Sequence, residues 1–110
     1  MEINSSERDG RTVVALSGRL DNATSADFEK RCAALIDAGT RVMILDLGQL
    51  NYLSSAGLRS ILAIAKRLQL VGGKLMACCL AGLVKEVFTV SGFDAMVPVA
   101  LTVEDALKTV

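Results

Sequence analysis

Two adjacent hydroxyls, Ser54 and Ser55, are the residues of this 110-residue chain best situated for chemistry. They fall in Leu47-Gly-Gln-Leu-Asn-Tyr-Leu-Ser-Ser-Ala-Gly-Leu-Arg59, between an apolar run and an amphipathic stretch. Val42 to Leu47 reads as a buried strand and Leu58 to Leu70 as a helix, so both serines stand where a helix begins, just past a strand end. A helix start presents backbone N–H groups without intrahelical partners and the positive end of the macrodipole. A phosphate is well tolerated there, either bound or covalently attached. Ser54 equally suits a structural role as helix N-cap. Sites in open α/β sheets form beyond the carboxyl ends of strands, which favours Ser55 as an outward-facing phosphoacceptor. Gly57 would leave room there for another molecule's backbone.

The rest of the sequence argues against catalysis. The chain has no His, which removes the commonest general base and any Ser-His or Cys-His pairing. Neither a Gly-x-Gly-x-x-Gly fingerprint nor a P-loop occurs, and Gly72-Gly73 reads as a turn. Asp46 lies inside an apolar strand and reads as structural. Asp21 sits in a loop before a helix, where capping or solvation is its simplest role. Cys32, Cys78 and Cys79 are an odd number without a disulfide framework and read as small buried apolar residues. On a strand, Cys78 and Cys79 would point to opposite faces and not share a metal. No metal site or cofactor is therefore expected.

Composition narrows the partners. Twelve basic and twelve acidic residues balance, and no basic run offers a footprint for a nucleic-acid backbone. Apolar residues make up 52% of the chain, enough for a core. The longest apolar run falls far short of the ~20 residues that cross a membrane. The start, Met-Glu-Ile-Asn-Ser, does not look like a secretory leader, so a cytoplasmic location is the expectation.

These elements must position the serines. Residues 2–8 can form an edge strand, and Asp9-Gly10 is a hairpin turn leading into a strand from Arg11 to Ser17. Gly18 to Asn22 reads as a loop. Thr24, with Asp27 in a capping-box-like arrangement, starts a helix over 25–38 with Phe28, Cys32, Leu35 and Ile36 on one face. After the central strand, Leu58, Ile61, Leu62, Ala65 and Leu68 mark the inner face of the next helix. Lys74 to Leu80 is another buried strand. Leu83, Val84, Val87 and Phe88 mark a third helix, Pro98 limits Val97 to Ala100 to a short edge strand, and Thr102 starts a final helix. The order β-β-α-β-α-β-α-β-α over one domain, residues 1–110, implies an α/β fold. Its mixed sheet of four to five strands would pack against about four helices.

Leu16-Ser-Gly-Arg-Leu-Asp-Asn-Ala-Thr24, Val42-Met-Ile-Leu-Asp-Leu47, Tyr52-Leu-Ser-Ser-Ala-Gly-Leu58, Gly72-Gly-Lys-Leu75 and Phe88-Thr-Val-Ser-Gly-Phe93 together resemble the STAS domain of bacterial anti-sigma-factor antagonists, over nearly the full length. The resemblance implies a partner switch and no enzyme activity. The unphosphorylated protein would bind an anti-sigma factor that is also a serine protein kinase. Phosphorylation would break the complex, and a metal-dependent serine phosphatase would reset it. The family's phosphoacceptor falls on Ser55. Ser54 stands where relatives often carry Asp, and so is the lesser candidate. Ala56 stands where they often carry Ser or Thr. The family's early acidic position falls on Asp21. Asp21, Asn22, Ser54, Ala56, Gly57 and Arg59 are the expected partner contacts. STAS-like domains also serve in sensory complexes, so a small-molecule or nucleotide sensor is the alternative function.

Overall fold

Asp9 and Gly10 both take positive φ, 54° and 80°, as a two-residue type I′ turn requires. In the computed structural model, which describes residues 1–110, this turn joins β1 (Glu2–Arg8) to β2 (Arg11–Leu20) as an antiparallel hairpin. Then come α1 (Ser25–Asp37), β3 (Val42–Leu53), α2 (Ser55–Leu70), β4 (Lys74–Cys78) and α3 (Gly82–Val90). A short 3-10 turn (Phe93–Ala95), β5 (Val99–Ala100) and α4 (Val103–Thr109) complete the chain. The sheet order is β1-β2-β3-β4-β5, with every pair after the hairpin parallel. This is the mixed sheet with four helices and an opening hairpin expected from the sequence. No helix is long and apolar enough to cross a membrane.

The two sheet faces bury different helices. Val14, Leu16, Met43, Leu45, Leu47, Leu75 and Ala77 face Phe28, Cys32 and Ile36 of α1, Ile61, Ile64 and Leu68 of α2, and Val84 and Phe88 of α3. Phe88 meets Phe93 edge to face, with centroids 5.2 Å apart. On the other face Val13, Ile44, Met76 and Cys78 meet Ala106 of α4. Each fully buried Leu, Ile or Phe stabilises the fold by about 1.5–3 kcal/mol, so the larger cluster dominates.

Several boundaries differ from the sequence reading. β2 continues through Gly18, Arg19 and Leu20, which read as loop, and β3 continues from Leu47 to Leu53. Two bulges in β3 conceal its extension: Ala15 pairs with Asp46 but Ser17 with Gln49, and Gly18 pairs with Leu50 but Arg19 with Tyr52. Each extra residue resets the two-residue alternation, so the buried positions run Leu47, Leu50, Leu53. α2 starts at Ser55 and not at Leu58. Ile64 joins its buried face, while Leu58, Leu62 and Ala65 lie at the margin. Leu83 is 59% exposed, so Val84 and Phe88 carry the inner face of α3.

β4 stops at Cys78, short of the expected Leu80, and Cys79 turns into the left-handed region at φ 64°. The two cysteines therefore do not alternate across a strand; their Sγ atoms lie 3.6 Å apart. Cys32 and Cys78 are buried, as expected, but Cys79 is only partly so. Burial pushes the Cys32 thiol up to about 12, as suits an inert packing residue.

Candidate functional site

The end of β3 delivers Ser54 and Ser55 to the surface beside the end of β2. The Ser54 N–H donates to the Leu20 carbonyl at 3.0 Å, tying the two strand ends together. Ser54 then takes an extended backbone (φ −91°, ψ 173°), and its Oγ accepts the Gly57 N–H at 3.1 Å. This satisfies one of the free amides of the first turn, so Ser54 is the N-cap. Ser55 occupies the first helical position, is exposed, and its hydroxyl makes no hydrogen bond within the chain. Two neighbours that look alike in sequence thus have different surroundings.

Ala56 and Gly57 turn inward. Ala56 is 9% exposed and Gly57 is buried. A Cβ on Gly57 would stand 2.6 Å from the Leu20 carbonyl oxygen and 2.8 Å from Leu53 Cδ1. The close backbone approach expected here is made by the chain's own β2 and not by another molecule. Of the expected contact residues, Gly57 is therefore turned away from any partner, and Ala56 keeps only a little surface. Asp21, Asn22, Ser54, Ser55 and Arg59 line one shallow depression together with Ala56.

The loop after β2 builds the opposite wall. Asp21 Oδ1 accepts the Ala23 N–H at 3.0 Å, and the Asp21 carbonyl accepts the Ser25 N–H at 2.8 Å, serving the start of α1. Thr24 adopts the position of an N-cap, but its hydroxyl does not cap the helix as expected. It accepts the Asp21 N–H and donates to the Arg19 carbonyl, both at 2.9 Å. The loop is thereby fixed from inside. Partial burial works to raise the Asp21 pKa, but the Ala23 N–H, the Thr24 hydroxyl and Arg19 outweigh it and hold the carboxyl below its ordinary value. Asp21 is therefore a fixed anion at neutral pH.

Arg19 and Tyr52 belong to the same depression, and the sequence reading did not single them out. They pair across β2 and β3. The Arg19 guanidinium stacks 4.0 Å from the Tyr52 ring centroid, and its Nε lies 3.5 Å from Asp21 Oδ2. The continuation of β2 through Leu20 is what brings them together. Arg59 follows Ser55 by one helical turn, the spacing at which side chains share a face. Two guanidiniums and one carboxylate thus line the same depression as a free hydroxyl at a helix start. The helix start and the guanidiniums make this a place where an anionic group is tolerated.

Comparison with known proteins gives the arrangement a family. The STAS domain family matches residues 2–106. A Bordetella bronchiseptica protein, BtrV, named provisionally as an anti-sigma factor antagonist, is 42% identical over 106 residues, covering 96% of this chain and 91% of its own. The crystal structure of an anti-sigma factor antagonist from Mycobacterium paratuberculosis has a TM-score of 0.90 at 25% identity, covering 99% of this chain and 92% of that one. SpoIIAA, a Bacillus cell fate determinant, shares the fold in both of its forms. The unphosphorylated form has a TM-score of 0.81 at 22% identity, over 98% of this chain and 95% of that one. The phosphorylated form has a TM-score of 0.74 at 20% identity, over 98% of each. The match in sequence runs nearly end to end, and the fold agrees with it: this chain belongs to the STAS domain family, among the anti-sigma-factor antagonists.

Proposed function

We propose that this chain antagonises an anti-sigma factor by phosphorylation-controlled partner switching. With Ser55 unmodified, it binds an anti-sigma factor that is also a serine protein kinase, and the kinase's client is freed. The kinase then transfers the γ-phosphoryl of ATP to Ser55 Oγ, the hydroxyl proton leaves, and the complex separates. A metal-dependent serine phosphatase hydrolyses the phosphoester and restores binding. The chain itself acts as a binding module in the cytoplasm and performs no catalysis.

One observation carries this reading: Ser55 is exposed and unengaged at the first position of α2, while Ser54 supplies the cap. A phosphate there adds about −1.5 to −2 charges at neutral pH. Free in solution, it faces water, the positive helix end and Arg59. In a complex it must lose that water, which costs several kcal/mol per ion unless new partners compensate. The fold therefore tolerates the modification and the interface does not. The phosphorylated form of SpoIIAA is a precedent for this fold.

The test uses a cognate serine kinase, ATP and mass spectrometry with site localisation. A single phosphate on Ser55, absent in Ser55→Ala and retained in Ser54→Ala, supports the reading. No phosphate with an active kinase, or modification of another residue, overturns it.

A further inference from the structure

A second constellation lies under α4, on the sheet face away from α1 and α2. Asp46 of β3 pairs with Cys78, the last residue of β4, and Cys79 follows in its left-handed turn. One carboxylate oxygen of Asp46 and the two Sγ atoms all lie within 4.8 Å of one another. We infer that Asp46, Cys78 and Cys79 form a binding site for one thiophilic divalent cation of the zinc class, with water completing a tetrahedral shell from the open side.

Geometry supports this first. Two thiolates on a tetrahedral zinc ion, at Zn–S distances of about 2.3 Å, stand about 3.8 Å apart. The Sγ–Sγ separation is already 3.6 Å. The positive φ at Cys79 is what brings both sulfurs to one side, and such a conformation is uncommon for a residue with a side chain. The carboxylate is also oriented: Asp46 Oδ1 accepts the Gly48 N–H at 3.0 Å. A Cβ at Gly48 would come within 3.2 Å of that oxygen and 3.3 Å of Cys79 Cβ. Glycine therefore leaves the carboxylate and the thiol room to converge, and its N–H acts as an outer-shell support.

Electrostatics gives the sign and class of the ligand. The charged side chains bearing on Cys78 are Asp46 and Glu104, both acidic, and Glu104 shares its exposed charge with Arg8 at 3.5 Å. A cation has at least one carboxylate and two sulfurs there. Thiolate donors select zinc and its softer congeners over magnesium or calcium, and two cysteines are too few for an iron–sulfur cluster. Cys78 is buried, while Cys79 and Asp46 are partly exposed, so an ion can enter from solvent. Binding uses both sulfurs as thiolates, and two thiol protons pass to water for each ion held.

The test titrates the reduced full chain with Co²⁺ and then displaces it with Zn²⁺. The expected result is one equivalent bound, a thiolate-to-cobalt charge-transfer band that zinc abolishes, and a higher Tm with metal. Cys79→Ser, at the partly exposed cysteine, should lose most of the band. Asp46→Asn should keep the band but bind roughly tenfold more weakly or worse, at least the effect of an outer-shell change. Absence of the band in reduced protein, or a Cys79→Ser protein that binds as the parent does, overturns the site. So does a reduced protein that takes up no ion and instead forms a Cys78–Cys79 disulfide in air.

Discussion

Replacing the two serines one at a time separates the structural hydroxyl from the proposed regulatory one. Ser54→Ala removes the oxygen that accepts the Gly57 N–H, leaving that donor in a partly buried first turn. Loss of such a cap costs about 1 kcal/mol. For a domain of this size that lowers Tm by roughly 4 °C or slightly more. Ser55→Ala removes a hydroxyl with no partner in the chain and puts a good helix former on an exposed position. Its effect on stability should stay within about 0.5 kcal/mol. The phosphorylation assay should give the opposite ranking: Ser54→Ala still accepts phosphate, and Ser55→Ala does not. Thermal unfolding by circular dichroism and intact-mass analysis on the same preparations read both quantities. A Ser55→Ala protein that melts several degrees lower while Ser54→Ala is unaffected would refute the division of roles. So would phosphate persisting in Ser55→Ala and disappearing in Ser54→Ala.

Gly57→Ala brings a Cβ to 2.6 Å from the Leu20 carbonyl oxygen, an atom already accepting the Ser54 N–H. Alanine's helix preference returns about 1 kcal/mol, but overpacking against backbone costs about 1–3 kcal/mol. Urea unfolding should therefore show a net loss of stability; a gain would mean that the β2 end yields easily. Asp21→Asn tests the anion that fixes the loop before α1. Its folded-state pKa is depressed, so the charged form contributes stability above the ordinary 3.8, and that contribution is lost as pH falls through the lower folded value. The difference in Tm between parent and variant should be full at neutral pH and close on the acid side. A difference that grows with acid would contradict the observed hydrogen bonds.

Local rules made much of this fold legible. Asp9-Gly10 announces its turn because glycine accepts positive φ and aspartate tolerates it. Phe28, Cys32 and Ile36 announce α1 by their spacing, and all three are buried. Pro98 held β5 to two residues, as its missing N–H suggested. What escaped was information that no local pattern carries. The bulges in β3 reset the alternation, so the strand seemed to end at Leu47, six residues before its actual end at Leu53. That error also concealed the cross-strand pairing of Arg19 with Tyr52. Gly57 showed a need for space, but only the tertiary structure shows that β2 fills it. Cys79 left its strand through a conformation that the sequence does not signal, and that alone brings it to Cys78 and Asp46.

The central claim is that phosphate on Ser55 changes binding and leaves the fold intact. The direct measurement is the affinity of the chain for the proposed kinase partner, with and without stoichiometric Ser55 phosphate, beside the Tm of both forms. The phosphate gains roughly 0.3–1 kcal/mol from the helix start, so Tm should hold or rise slightly. Desolvation at the interface should weaken binding by about 3 kcal/mol, roughly 100-fold. Equal affinities for the two forms, or weaker binding only because the phosphorylated chain has unfolded, would contradict the account.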